Sequence, residues 1–147
     1  MVPTIDWTPL SVSVLGVWVN FSLDTEFPIE PMVNLQAALR QGGLPAYVFS
    51  NTNELAVEHI RRSFPFYANF DGYILSYQHG AMKPDARLYE VVERQSAHRG
   101  AEILYLDDRP ENVAAGAARG WQVILHQTPA QTQAAIRKLG LLDSESS

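Results

Sequence analysis

Apolar and polar positions alternate between two spacings from Pro28 onward. Pro31 opens a stretch with Met32, Leu35 and Leu39 on one helical face, closed by Gly42-Gly43. A short apolar run, Ala46-Tyr47-Val48-Phe49, then ends in the polar group Ser50-Asn51-Thr52-Asn53, which predicts a strand followed by a loop. Val57, Ile60 and Phe64 mark a second helix, and Tyr73-Ile74-Leu75 a second strand within 70–76. Pro84-Asp85 starts a helix with Leu88, Val91 and Val92 inward, ending near Gly100. Ile103-Leu104-Tyr105-Leu106 is a third strand running into Asp107-Asp108. Pro110 opens a short Ala-rich helix that stops at Gly120. Residues 121–125 form a fourth strand and 130–139 a last helix.

The strands are continuous apolar runs rather than alternating ones, and helices separate them. That combination predicts an α/β fold: a three-layer, Rossmann-like parallel sheet with helices on both faces. Right-handed crossovers place the C-terminal ends of all strands on one rim, where open α/β sheets bind ligands. Ser50 and Asp107-Asp108 therefore converge. Residues 1–27 are rich in Val, Ser, Trp and Phe and show no clean period. Residues 28–142 form the core, and the polar tail 143–147 is expected to fray.

Composition narrows the setting. The 147 residues suffice for one domain, and an apolar share of 46% is too high for disorder. A net charge of −5 argues against nucleic acid or an anionic membrane as the main partner. The absence of cysteine excludes disulfides, thiolate metal sites and Cys nucleophiles, and favours the cytoplasm. Leu10 to Phe21 is the most apolar stretch. It is too short for a membrane span and lacks the basic start and cleavage site of a signal peptide.

Three polar sites carry the candidate chemistry. Ser50-Asn51 ends one strand, Lys83 precedes a helix, and Asp107-Asp108 ends another strand with Asn112 one helical turn later. Phosphoryl transfer needs donors for phosphate oxygens, a cation beside the phosphoryl group, a nucleophile and a divalent ion. A serine hydroxyl with adjacent N–H groups can hold a phosphate oxygen. An ammonium can pair with phosphate and carboxylate. Paired carboxylates with an Asn nearby make a hard-oxygen set suited to Mg²⁺.

In this order, Val48-Phe49-Ser50-Asn51-Thr52 resembles the second motif of the haloacid dehalogenase superfamily. Gly80-Ala81-Met82-Lys83-Pro84-Asp85 resembles the third, and Tyr105-Leu106-Asp107-Asp108-Arg109-Pro110-Glu111-Asn112-Val113 the fourth. Phe70-Asp71-Gly72 and Ser76 also fit, and the match runs from about Pro28 to His126. The subgroup it resembles is the capped phosphatases, with a cap inserted after the first strand. The resemblance implies Mg²⁺-dependent hydrolysis of a small phosphorylated metabolite. By it, Ser50 binds the transferring phosphoryl group and Asn51 contacts it or the substrate. Lys83 pairs with the phosphoryl group and the nucleophile. Asp108 ligates Mg²⁺, with Asp107 and Asn112 shaping the metal shell.

The chain departs from the family at its first motif, a strand ending in Asp-x-Asp-x-Thr whose first Asp is the nucleophile. Thr4-Ile5-Asp6-Trp7-Thr8 has Thr4 at that position and only three residues before it. Asn20-Phe21-Ser22 follows Val17-Trp18-Val19 without a carboxylate, and Asp24-Thr25-Glu26 lacks both a preceding strand and the Thr. Trp18 followed by Phe27-Pro28 resembles the end of the cap instead, so residues 1–27 read as a cap remnant or a replacement strand, with the cap largely absent. The family's first strand lies mid-sheet, and an empty slot would expose two strand edges. The Val-rich run from Ser11 to Val19, a second copy of the chain, or nothing could stand there. A homodimer or strand exchange follows from the second option.

Plainer readings exist for each residue. Asp107-Asp108 suits a helix N-cap, Lys83 a solvated surface, and Ser50 a turn. The motif context favours the pocket readings. His59, His79, His98 and His126 show no metal-ligand spacing and receive no role. The Ala114, Ala115, Ala117, Ala118 cluster reads as close helix–sheet packing, and Tyr67, Phe70 and Tyr73 as core or cleft wall. A receiver domain also combines an acidic pair, a Ser/Thr and a Lys, but with the acidic pair first in the chain; here it comes last. Two functions remain open: the phosphatase, and an inactive descendant that binds a phosphorylated ligand or a protein.

Overall fold

The computed structural model describes the backbone of Val12–Leu15, Val19–Phe21, Glu26–Pro28 and residues 30–139, with side chains from 33 to 139. The tail and the Thr4–Thr8 segment considered above lie outside the described residues. Elements follow in the order β1 (Val12–Leu15), β2 (Val19–Phe21), β3 (Glu26–Pro28), α1 (Glu30–Gln41), β4 (Ala46–Ser50) and α2 (Glu54–Ser63). Then come β5 (Gly72–Leu75), α3 (Ala86–Ser96), β6 (Ile103–Asp107), α4 (Pro110–Ala118), β7 (Gln122–Leu125) and α5 (Pro129–Lys138).

Five strands form one sheet in the order β5-β4-β1-β6-β7, and every pairing is parallel. Of the ways to fill the central slot, the Val-rich run is the one observed. β1 pairs with β4 through Leu15 opposite Val48, and with β6 through Leu15 opposite Leu106. The core sheet therefore takes in residues ahead of 28. A separate antiparallel ribbon joins β2 to β3, with Asn20 opposite Phe27.

Alternating residues of β4, β5, β6 and β7 feed two cores, which is why these strands read as unbroken apolar runs. Val48, Leu104 and Leu106 pack with Leu35, Leu39, Val57, Ile60 and Ile136 from α1, α2 and α5. Phe49, Ile103 and Tyr105 pack on the opposite face with Leu88, Tyr89, Val92 and Trp121. Tyr67 and Phe70 belong to the first core, with Tyr73 packed against it. At Gly116, on α4, an added Cβ would sit 2.9 Å from Tyr105 Cδ2 and 3.1 Å from Trp121 Cε3. The Ala-rich sequence of α4 allows this close approach to β6.

Local chemistry sets the helix ends. Asn53 caps α2 by accepting from Ala56 N at 2.9 Å, and Thr128 caps α5 by accepting from Gln131 N at 3.1 Å. The third helix starts at Ala86 with Asp85 as its cap, and ends at Ser96 rather than near Gly100. Ala97 turns into the left-handed region at φ 62°, and a separate 3₁₀ turn, Gly100–Glu102, leads into β6.

Candidate active site

The sheet's C-terminal rim gathers the end of β4, the segment before α3 and the end of β6. Ser50, half-buried, is the last residue of β4 and stands opposite Leu75. Two side chains stitch the flanking loops together. Asn51 accepts from Lys83 N at 2.7 Å and donates to Lys83 O at 3.2 Å. Ser76 Oγ accepts from Thr52 N at 2.8 Å and donates to Thr52 O at 3.0 Å. The resemblance gives Asn51 a contact to the substrate or the phosphoryl group; here its carboxamide clamps the backbone of the lysine.

Held this way, Lys83 points inward. Its ammonium donates to Asp107 Oδ2 at 2.7 Å and to Phe49 O at 2.9 Å. It also lies 4.9 Å from the centre of the Phe49 ring. An ammonium has three donors, so among the described residues one is left beyond these two partners.

Asp107 is the hub of the site and is 1% exposed. Besides Lys83, it accepts from Tyr105 OH at 2.6 Å and from Arg109 N at 3.0 Å. The Asn112 amide lies 3.4 and 3.5 Å from its two oxygens. Tyr89 OH in turn donates to Asn112 O at 2.7 Å. Burial works against the Asp107 charge, but the Lys83 ammonium and the converging donors outweigh it and hold the carboxyl below the usual range. Burial lowers the Lys83 pKa, and Asp107 offsets part of that. Partial burial and the neighbouring Asp107 carboxylate push Asp108 above the usual carboxylate range. Asp108 itself is exposed at the rim.

The two acidic residues thus have different tasks. Asp107 is saturated by protein donors, as a positioning group for Lys83 would be. Asp108 is open to solvent. Among the described residues no group of three His, Cys, Asp or Glu side chains could hold a metal ion. Mg²⁺ prefers octahedral oxygen ligands, commonly one or two carboxylates completed by water and substrate phosphate. Asp108 is the residue that the resemblance expects in that role. The family supplies others from the end of the first strand, where Leu15 is followed by Gly16, Val17 and Trp18. The described residues do not complete a Mg²⁺ site, and the next carboxylate after Leu15 in the chain is Asp24.

Sequence reasoning picked out Ser50, Asn51, Lys83, Asp107, Asp108 and Asn112, and the fold brings all six to this rim. It missed Tyr105, which holds Asp107, and Tyr89, which supports Asn112. Tyr105 lies two residues before Asp107 on a strand, so the shared face was a readable signal. His126, left without a role, is 8% exposed just past β7. Its Nδ1 lies 2.6 Å from Thr132 Oγ1, and its backbone N–H donates to the backbone carbonyl of Asp107 at 2.8 Å.

Comparison with known proteins agrees with this geometry. The family model for haloacid dehalogenase-like hydrolase matches residues 10–120, a span that includes β1 and the rim residues from Ser50 to Asn112. The chain belongs to the haloacid dehalogenase-like hydrolases. It is 34% identical over 101 residues to the sesquiterpene phosphatase astK of Aspergillus oryzae. That alignment covers 69% of this chain and 51% of the relative, so the chain spans about half the length of the curated relative it matches. An uncharacterised protein from Corynebacterium glutamicum superposes with a TM-score of 0.74 at 21% identity, covering 92% of this chain and 97% of that one. A haloacid dehalogenase family enzyme from Bacteroides thetaiotaomicron, solved with magnesium and inorganic phosphate, superposes with a TM-score of 0.59 at 21% identity. Here 66% of this chain and 52% of that one are covered. These structural likenesses establish a shared fold.

Proposed function

We propose that this chain is a phosphatase-like domain that captures the phosphate of a small phosphorylated metabolite at Ser50 and Lys83 without hydrolysing it efficiently. One observation carries the reading. Lys83 is fixed against Asp107 at the rim while the central strand runs out into Gly16-Val17-Trp18. The phosphate-binding half of the chemistry has its residues; the carboxylate that would attack phosphorus has none at the strand end.

The named activity of the Aspergillus relative supports a phosphoester as the ligand class. The Lys83 ammonium supplies charge to a phosphate oxygen through its remaining donor, and Ser50 supplies a hydroxyl. Asp108 is the ligand this chain would offer to a Mg²⁺ ion that arrives with phosphate.

The test is a thermal-shift titration with inorganic phosphate, with and without Mg²⁺, beside a hydrolysis panel of phosphomonoesters. A ligand that binds only the native state at about 100 times its Kd stabilises by roughly 2.7 kcal/mol, a readily measured rise in Tm. A rise without turnover is the expected result. Turnover that disappears in Asp108→Ala would instead make the chain a working phosphatase. The absence of any phosphate-dependent shift, with no turnover, would sink the reading.

A further inference from the structure

Among the described residues, the large apolar side chains left exposed do not scatter over the surface. Leu55 (83% exposed), Tyr77 (39%), Met82 (61%) and Leu125 (39%) all lie at the C-terminal rim of the sheet. Leu55 is in the first turn of α2 after β4, Tyr77 follows β5, Met82 immediately precedes Lys83, and Leu125 ends β7. Single exposed apolar residues are ordinary, but their collection at the rim that holds the polar site is not. A cleft of about 550 Å³ opens on this side, with Tyr77, Ala81 and Met82 in its wall.

Two polar side chains of the cleft wall, Ser76 and Asp85, are already engaged. Ser76 Oγ is bonded to both the N–H and the carbonyl of Thr52. Asp85 caps α3 through Arg87 N at 2.9 Å, and its Oδ2 takes Arg87 Nη2 at 2.8 Å. A polyhydroxylated ligand would compete with these pairings for its hydrogen bonds. A hydrocarbon would find a thioether and an aromatic ring. Two residues of the cleft wall, Thr52 and Met82, directly adjoin Asn51 and Lys83 in the chain, which sets the cleft beside the phosphate-binding residues.

We propose that the cleft takes the carbon body of the ligand, and that this body is an apolar alkyl or alkenyl chain rather than a sugar. Tyr77 and Met82 are the specificity-determining residues. The inference rests on the phosphate-capture reading above and names its substrate class: a phosphomonoester of an apolar alcohol.

The experiment measures affinity of the full chain, by calorimetry, for inorganic phosphate and for straight-chain alkyl monophosphates of four to ten carbons below their micellar concentrations. Glucose 6-phosphate and the matching free alcohols complete the set. Burial of each methylene is expected to tighten binding about twofold or more. The variant Tyr77→Ser/Met82→Ser should flatten this chain-length dependence while leaving inorganic phosphate affinity within about twofold. Circular dichroism of the variant checks that it is folded, and Leu125→Ser serves as a second, single-site variant at the far side of the rim. Alkyl phosphates binding no tighter than inorganic phosphate, or glucose 6-phosphate binding as tightly as the longest chain, would overturn the inference and leave phosphate capture standing. Alcohols binding as tightly as their phosphates, with no binding of inorganic phosphate, would overturn phosphate capture and keep the apolar cleft. No binding by any ligand would overturn both.

Discussion

Lys83 Nζ and Asp107 Oδ2 are 2.7 Å apart, with side chains only 5% and 2% exposed. Charges this far from water are costly unless mutually compensated and further hydrogen-bonded. The Phe49 carbonyl, the Tyr105 hydroxyl and the Arg109 N–H supply those extra bonds. Removing one partner therefore differs sharply from removing both. Lys83→Met is expected to cost about 3–5 kcal/mol by leaving a buried carboxylate alone, whereas Lys83→Met/Asp107→Asn should recover a large part of that loss. Urea unfolding midpoints of the two variants check this. Equal losses would mean that the pair's charges do not compensate each other.

Asp108 should behave differently despite being the next residue. It is exposed, and the carboxylate of Asp107 beside it disfavours its ionised form. Asp108→Asn is expected to change stability by less than about 0.5 kcal/mol. If Asp108 ligates an ion that accompanies phosphate, any Mg²⁺-dependent part of a phosphate-induced Tm rise should vanish in this variant. A thermal-shift titration at fixed phosphate and varied Mg²⁺ reads it.

Gly116 tests the close approach of α4 to β6. A methyl there meets the rings of Tyr105 and Trp121, which are packed in the core and cannot swing aside freely. Overpacking of this kind costs about 1–3 kcal/mol, while alanine's better helix propensity returns up to about 1 kcal/mol. Gly116→Ala is expected to be net destabilising by equilibrium unfolding. Because Tyr105 holds Asp107, the same variant should also weaken phosphate binding.

His126 gives the protein a pH dependence of predictable sign. Burial lowers its pKa below the ordinary histidine value, with Asp108 offsetting part of the shift. The unfolded chain therefore takes up a proton more readily than the folded one. Its contribution to stability is fully present above the ordinary value of about 6.5 and is lost as pH falls from there through the lower folded value. Unfolding free energy measured between pH 7.5 and 5 should fall with this slope in the wild type. The slope should shrink in His126→Gln; an unchanged slope would assign it to other groups.

Alternation of helices with unbroken apolar runs was enough to predict a parallel three-layer sheet, because a strand buried on both faces needs apolar residues at every position. The motif residues were legible for a related reason. Parallel strands end on one rim, so Ser50, Lys83 and Asp107-Asp108 had to meet wherever the intervening helices lay. The central strand was not legible to the same degree. Val12–Leu15 is only four residues long and carries no period of its own, and its identity as a strand depends on β4 and β6 on either side. Local sequence also could not distinguish Asp107 from Asp108. Adjacent residues on a strand end point in opposite directions, and only the position of Lys83 and Tyr105 decides which carboxylate is turned inward and neutralised. The absence of a carboxylate directly after Leu15 is readable from sequence alone. That the strand before it lies at the centre of the sheet, beside a complete lysine–aspartate pair, is a property of long-range packing, because every partner of that strand comes from more than thirty residues further along the chain.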